Sequence, residues 1–453
     1  MTFTTTAANR YIHDNLSKTK QQYRPQAHFA APLGWINDPN GLIYFKGKYH
    51  LFYQYNPYSA VWDTMHWGHA TSTNLVDWEN QPVALAPDRP YDRNGVFSGS
   101  AIVHDGMLYL MYTGHIINND GTIVENQNIA FSEDGIHFEK YIDNPVIDTI
   151  DLPVGASAKD FRDPKIIKHD NKYYVVIASS MKNIAGQILM YESEDLIHWT
   201  YKSVVLTGIA ELGQIAECPD LFSLGNRDGL VFSAIGVKND VHNVFIALGK
   251  FDWESGQFEV EEIQPLDISN DFYAPQSFEY KGHRIMIPWL RSAEDTDFLA
   301  NHKQFWNGQM GSPRILQLDE HNHLIQIPYV PAGAIQHTVI DNTPVQVDTA
   351  TSFVLTEGFR TGQSLSFTSE SGAILVAQTD DQLQLVIDHN GQKRQFVFTS
   401  EPQEMVHIIL DRSSFEIFVN SKCVASVIYF FEEPIHSVHS MNGTVQVINR
   451  IFS

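Results

Sequence analysis

Five copies of one short pattern dominate the chain. A turn residue is followed by an aromatic and β-branched strand at Gly47-Lys-Tyr-His-Leu-Phe-Tyr53, Gly106-Met-Leu-Tyr-Leu-Met-Tyr112, Asn171-Lys-Tyr-Tyr-Val-Val-Ile177, Asp228-Gly-Leu-Val-Phe-Ser-Ala234 and Gly282-His-Arg-Ile-Met-Ile-Pro288. The turn positions lie 59, 65, 57 and 54 residues apart. A second marker, Asn74-Leu-Val-Asp-Trp78, Asp134-Gly-Ile-His-Phe138 and Asp195-Leu-Ile-His-Trp199, recurs at offsets of 60 and 61. Units of about 55–65 residues hold four antiparallel strands with their loops. Five such units predict a five-bladed β-propeller. A β-sandwich or an unrelated run of hairpins is the competing arrangement, but neither has a reason to keep this period.

The pattern fades after Arg314, and residues from Ile315 to Tyr329 complete the last unit. Pro328, Pro331 and Gly333 punctuate a connector. Beyond Val345 the text changes to alternating strands. Leu383-Gln-Leu-Val-Ile387 and Arg394-Gln-Phe-Val-Phe398 flank Asn390-Gly391, a two-residue hairpin signal. The expected class is all-β: an N-terminal extension over 1–23, a five-bladed propeller over 24–328, a linker over 329–344 and a C-terminal β-sandwich over 345–453.

Composition narrows the partners. The 453 residues carry 30 Lys and Arg against 53 Asp and Glu, a net charge of −23 that repels nucleic acid and anionic lipid. Only Cys218 and Cys423 occur, too few and too far apart for a disulfide framework or a paired-cysteine metal site. The first residues lack the apolar run of an export signal, and no stretch reaches the roughly 18 apolar residues of a membrane span. The expectation is a cytoplasmic protein; a homo-oligomer is compatible with the sequence.

Upstream of each turn stands a polar cluster: Asn37-Asp38-Pro-Asn, Phe97-Ser98-Gly-Ser, Arg162-Asp163-Pro, Glu217-Cys-Pro-Asp and Tyr273-Ala-Pro-Gln276. Asp38, Ser98, Asp163, Glu217 and Tyr273 precede their turns by 9, 8, 8, 11 and 9 residues. If that place is the innermost strand of each blade, three carboxylates share one funnel. Trp35, Trp62, Trp67, Phe97, Tyr273, Trp289 and Trp306 offer flat surfaces for sugar rings, although the Trp and Phe residues, taken singly, are more often core than ligand contacts. Glycoside hydrolysis needs one carboxylate as nucleophile or base and one carboxylic acid to protonate the leaving oxygen, and Asp38 and Glu217 suit those roles by type. Taken singly, Asn37-Asp38-Pro39-Asn40-Gly41 reads as a turn and Arg162-Asp163 as a surface ion pair. Glu217 is less easily dismissed, because its apolar neighbours Ile215, Ala216 and Cys218 make an anion there costly.

Competing motifs are weak. His66-x-x-His69 lacks a third ligand and reads as structural, and His321-Asn-His323 reads as solvated. No phosphate-binding loop, dinucleotide fingerprint or nucleophile elbow is present, so neither a metal nor a cofactor is expected.

At these positions the sequence resembles glycoside hydrolase family 32, the invertases, sucrose-6-phosphate hydrolases and fructanases. The match comprises His28-Phe-Ala-Ala-Pro32-Leu-Gly-Trp35-Ile-Asn-Asp38-Pro-Asn-Gly, Phe97-Ser-Gly-Ser100, Phe161-Arg-Asp163-Pro, Glu217-Cys-Pro-Asp220, Asp271-Phe-Tyr273-Ala-Pro-Gln276 and Leu410-Asp-Arg-Ser-Ser-Phe-Glu-Ile-Phe-Val419. The resemblance implies Asp38 as nucleophile, Glu217 as acid/base and Asp163 as transition-state stabiliser. It implies Trp35, Asn37, Gln54, Trp62, Phe97, Ser98, Arg162, Tyr273 and Trp289 as sugar contacts. Ile36 and the segment Trp306-Asn-Gly-Gln-Met310 depart from the common pattern. Within the family the closest look is that of bacterial sucrose-6-phosphate hydrolases, from Tyr58-Ser-Ala-Val-Trp62 and Met65-His-Trp-Gly-His69. The expected activity is a retaining β-fructofuranosidase on sucrose or its 6-phosphate. An exo-fructanase or a non-catalytic sugar-binding propeller are the alternatives. The basic residues Lys159, Lys182, Arg291 and Lys303 are candidates to reach the glucosyl side.

Overall fold

Each repeat of the sequence becomes the second strand of one antiparallel sheet, and the polar cluster before it becomes the first. The computed structural model describes residues 3–181, 185–237, 243–292, 295–330, 335–347 and 350–452. Lys182, Pro331 and Gly333 fall outside them. The five first strands are Gly34–Phe45, Gly95–His104, Ala156–His169, Ile215–Leu224 and Phe272–Tyr280. They pair with Lys48–Asn56, Met107–Ile117, Lys172–Met181, Arg227–Ile235 and His283–Leu290 respectively. Two more strands complete every sheet in sequence order.

The local chemistry explains the repeat. Lys46-Gly47, Asp105-Gly106 and Lys281-Gly282 all have positive φ, the backbone of a two-residue hairpin turn whose twist matches the strands it joins. The second marker is a side-chain-built turn between third and fourth strands. The Oδ1 atoms of Asn74, Asp134 and Asp195 each accept two backbone N–H groups, from residues two and three positions on.

The first strands touch in a closed cycle: each lies beside the first strand of the next sheet, and the fifth returns to the first. Trp306–Asn307, from the late part of the chain, pairs in parallel with Gly34–Trp35 and clasps the ring. Apolar clusters fill the spaces between neighbouring sheets, such as Val176, Ile188, Leu230 and Phe232 between the third and fourth.

Beyond residue 335, two six-stranded antiparallel sheets enclose a second core around Phe353, Leu365, Phe367, Phe398, Phe415 and Val427. The Asn390-Gly391 turn joins Gln382–His389 to Gln392–Thr399, both residues at positive φ as the sequence predicts. The two bodies meet through buried charges. Asp411 accepts the backbone N–H groups of Gln26, Ala27 and His28 and lies 2.8 Å from His28 Nδ1. Glu416 takes His28 Nε2 at 2.8 Å and Arg314 Nη2 at 2.7 Å.

The N-terminal segment is not merely an extension. Thr4 caps a helix over Thr5–Asn15, which buries Ala8 and donates no charge in its first turn. Asn9 accepts the Val83 N–H and the Tyr11 hydroxyl donates to Tyr58 O, so the helix is held by the first sheet. No helix among the described residues is long and apolar enough to cross a membrane.

Candidate active site

At the polar cluster every first strand breaks register with its partner: between Ile36 and Pro39, Phe97 and Gly99, Arg162 and Lys165, Glu217 and Asp220, and Tyr273 and Gln276. Such bulges re-aim side chains and free backbone groups from the ladder. Four of the five carry proline, which has no N–H to give to a ladder: Pro39, Pro164, Pro219 and Pro275. In the second sheet Gly99 takes this place, because a Cβ there would lie 1.9 Å from Met111 O. The residues before three of the prolines, Asp163, Cys218 and Ala274, sit at φ of 63°, 50° and 46°. At the bulges every sheet brings at least one polar side chain to a common cavity.

That cavity, about 700 Å³, is lined by Asn37, Asp38, Gln54, Trp62, Phe97, Ser98, Arg162, Asp163, Glu217, Tyr273 and Trp289, among others. Its volume falls within the usual range for small-molecule sites, about 300–1,000 Å³. Asp38 accepts Asn37 Nδ2 at 3.0 Å on one oxygen and Ser98 Oγ at 2.6 Å on the other. Asp163 Oδ2 accepts the Cys218 N–H at 2.9 Å, while the Asp163 N–H donates to Thr113 Oγ1. Glu217 Oε1 receives Nε and Nη2 of Arg162, each at 2.9 Å, and Oε2 receives the Tyr273 hydroxyl at 2.6 Å.

The carboxyl groups crowd one another. Burial, then the charge of Glu217, pushes the Asp38 carboxyl up and holds Asp163 well above the usual carboxylate range. Burial and Glu217 likewise keep the Tyr273 hydroxyl protonated, so it remains a donor. Cys218 Sγ lies 3.5 Å from Asp38 Oδ2 and 3.6 Å from Asp163 Oδ2. Burial raises its thiol well above the ordinary value. The potential ligand atoms of Asp38, Asp163 and Cys218 lie within 4.8 Å of one another, a described grouping compact enough for a cation. Of the three, Asp38 and Asp163 line the cavity.

Below them the ring is plugged. Lys165 Nζ, two residues inward from Asp163, donates to Asp220 Oδ2 at 3.3 Å and to Ser277 O. Asp220 Oδ2 also accepts the Ser277 N–H at 2.6 Å.

Several sequence expectations need correction. Trp35 does not line the cavity; it stands behind the wall, 4% exposed, and its indole N–H donates to Asn37 Oδ1 at 2.9 Å. Trp67 and Trp306 are buried core residues, since their strands face the sheet interfaces, and neither can stack on a ligand. Trp62, 56% exposed, stands at the mouth with its ring against Phe97. Lys159 lines the cavity. Arg291 lays its guanidinium over the Tyr273 ring, and Lys303 belongs to the helix end after Asn301. His69 is buried beside His50, and His66 is buried against Tyr58 and Thr64 O, with burial holding His50 and His66 down at about 4.

Sequence reasoning missed Glu125, which accepts Arg162 Nη1 and the Phe161 N–H, and His115, which stacks on Phe97 at 4.2 Å. They sit on the second and third strands of the second sheet, Met107–Ile117 and Ile123–Ser132. The signal that could have exposed Glu125 is its place in Val124-Glu-Asn-Gln-Asn128, a polar run inside a strand.

The glycosyl hydrolases family 32 N-terminal domain model matches residues 28–328. A sucrose-6-phosphate hydrolase from Zymomonas mobilis is 37% identical over 441 residues, covering 88% of this chain and 84% of that protein. A raffinose invertase from Escherichia coli is 35% identical over 428 residues, covering 87% of each. A family GH32 β-fructofuranosidase from Bombyx mori, solved as a mutant in complex with sucrose, superposes with a TM-score of 0.85 at 31% identity, over 99% of this chain and 98% of that one.

Proposed function

The chain belongs to glycosyl hydrolase family 32, and from that premise we propose that it is a retaining β-fructofuranosidase releasing the terminal fructose of sucrose or sucrose 6-phosphate. It is a glycoside hydrolase of the invertase type. We read its ring of five sheets as a five-bladed propeller over residues 24–328 that carries the catalysis. The paired six-stranded sheets over 345–453 are a sandwich that braces it, joined by a linker over 329–344. The observation that carries the reading is the convergence of Asp38, Asp163 and Glu217, from three different sheets, on one cavity.

In this reading Asp38 attacks the anomeric carbon of fructose, and Ser98 and Asn37 hold the attacking carboxylate in place. Glu217 protonates the leaving glucosyl oxygen. Oε1 is filled by the two Arg162 donors, whereas Oε2 accepts one bond, from Tyr273, and keeps a lone pair that can carry the proton to that oxygen. Asp163, fixed by the Cys218 N–H through Oδ2, leaves Oδ1 for fructose hydroxyls. Water, activated by the same Glu217, then hydrolyses the fructosyl ester. We place the enzyme in the cytoplasm, where thiols such as Cys218 and Cys423 stay reduced.

Initial rates on sucrose, sucrose 6-phosphate and inulin test this. Release of fructose from either sucrose form faster than from inulin is the expected result. Inulin as the preferred substrate, or no hydrolysis of any of the three, would overturn it.

A further inference from the structure

The outer wall of the funnel, above the acid, is apolar. On the strand Ile215–Leu224, Ile215 stands two residues outward of Glu217 and so on the same face. Ile235 is its cross-strand partner. Across the mouth, Ile117 and Ile123 form the last pair of the hairpin in the second sheet, two residues outward of His115. All four isoleucines line the cavity. Ile117 and Ile235 are 45% and 44% exposed, whereas Ala234 beside Ile235 is buried. Two half-wet isoleucines, at one cavity mouth from separate sheets, form surfaces that a bound group would cover.

The charges around this wall point the same way. Asp38, Glu125, Asp160, Asp163 and Glu217 line the cavity, and its described cations are Lys159 and Arg162. Arg162 is already committed to Glu217, Glu125 and Asp160. Acids thus outnumber the described cations around the cavity, and each carboxylate that is ionised there disfavours a phosphate dianion.

We infer that Ile117, Ile123, Ile215 and Ile235 form a specificity-determining leaving-group subsite that takes neutral groups with an apolar face in preference to phosphorylated ones. The inference rests on the fructosidase reading and selects within it. A neutral glucosyl group lays its C–H face on the isoleucines as it departs toward solvent past Glu217. A 6-phosphate would bring its charge into a mouth lined by acids.

The test is kcat/KM on sucrose and on sucrose 6-phosphate for the wild-type enzyme and for Ile117→Lys and Ile235→Lys, made separately on the two hairpins. Both positions are half-exposed, so a lysine stem can follow the surface, and thermal melting checks that each variant folds. The wild type should prefer sucrose by about tenfold or more, and either lysine should move the ratio toward the phosphorylated substrate by about tenfold. A wild type that favours sucrose 6-phosphate overturns this inference while leaving the fructosidase reading intact. So does a ratio that neither folded variant moves. Inactivity of the wild type on both substrates overturns the two together.

Discussion

Replacing His28 with glutamine should loosen the joint between the two bodies in a pH-dependent way. The ring of His28 has no exposed surface and is held between Asp411 and Glu416 at 2.8 Å on each side. Burial alone would lower its pKa, but hydrogen bonds to the two carboxylates overcome that and raise it from 6.5 to about 9. One pKa unit corresponds to about 1.36 kcal/mol, so the imidazolium adds roughly 3 kcal/mol to the folded state when fully formed. A raised histidine pKa gives stability that is complete below the unfolded value of about 6.5 and disappears as pH rises through about 9. At pH 7.5 about 2 kcal/mol of it remains. The glutamine variant also leaves the two carboxylates without their cation, and breaking a buried pair from one side costs about 3–5 kcal/mol.

Calorimetry of both proteins from pH 6 to 10 at a fixed scan rate reads this directly. Arg314 and Asp267 are present in both, so the difference between the proteins isolates His28. The variant should melt several degrees lower at pH 6, at about 2 °C per kcal/mol for a chain of this size. The gap should narrow by roughly 3 kcal/mol in equivalent stability by pH 10. Because the cluster is buried, 0.5 M salt should leave the gap unchanged. A gap that stays constant from pH 6 to 10, or that salt abolishes, would refute the charged-histidine joint.

Other expectations concern the funnel. Asp38→Ala should abolish turnover of every substrate, whereas Glu217→Ala should keep most of kcat/KM, which reads the first step, on an aryl β-fructofuranoside whose leaving group needs no proton, while kcat falls on both substrates because the second step has lost its base; equal losses of kcat/KM on sucrose and the aryl substrate would remove Glu217 from the acid role. Asp163→Asn should raise the melting temperature at pH 7 while cutting kcat by orders of magnitude. Its carboxyl is pushed well above the usual range, so the ionised form weighs against folding at neutral pH; a lowered melting temperature would contradict this. Tyr273→Phe removes the donor to Glu217 Oε2 and should cost about tenfold in kcat/KM on sucrose, read by steady-state kinetics.

How much of this could be read beforehand varies with the range of the interaction. The five-unit period is visible because each sheet repeats local chemistry: the Lys46-Gly47 type of hairpin and the Asn74 type of turn are written in adjacent residues. The acids at blade-equivalent positions follow from the same period. The clamp on Arg162 could not be read so, because Glu125 reaches it from another sheet, 37 residues away in sequence. Aromatic identity also fails to separate core from cavity: Trp62 and Trp67 are five residues apart, yet one stands at the mouth and the other has no exposed surface. The helix Thr5–Asn15 was illegible because its support comes from Val83 and Tyr58 rather than from its own sequence.

The central claim, that Asp38 forms a covalent bond to fructose, is tested most directly by the configuration of the first-formed product. A retaining route passes through a fructosyl-Asp38 ester and delivers two inversions. NMR during early hydrolysis of sucrose should therefore show fructose released in the β configuration, and added methanol should divert part of it to methyl β-fructofuranoside. First-formed α-fructose with no β-methyl product would contradict the account, even if Asp38→Ala were inactive.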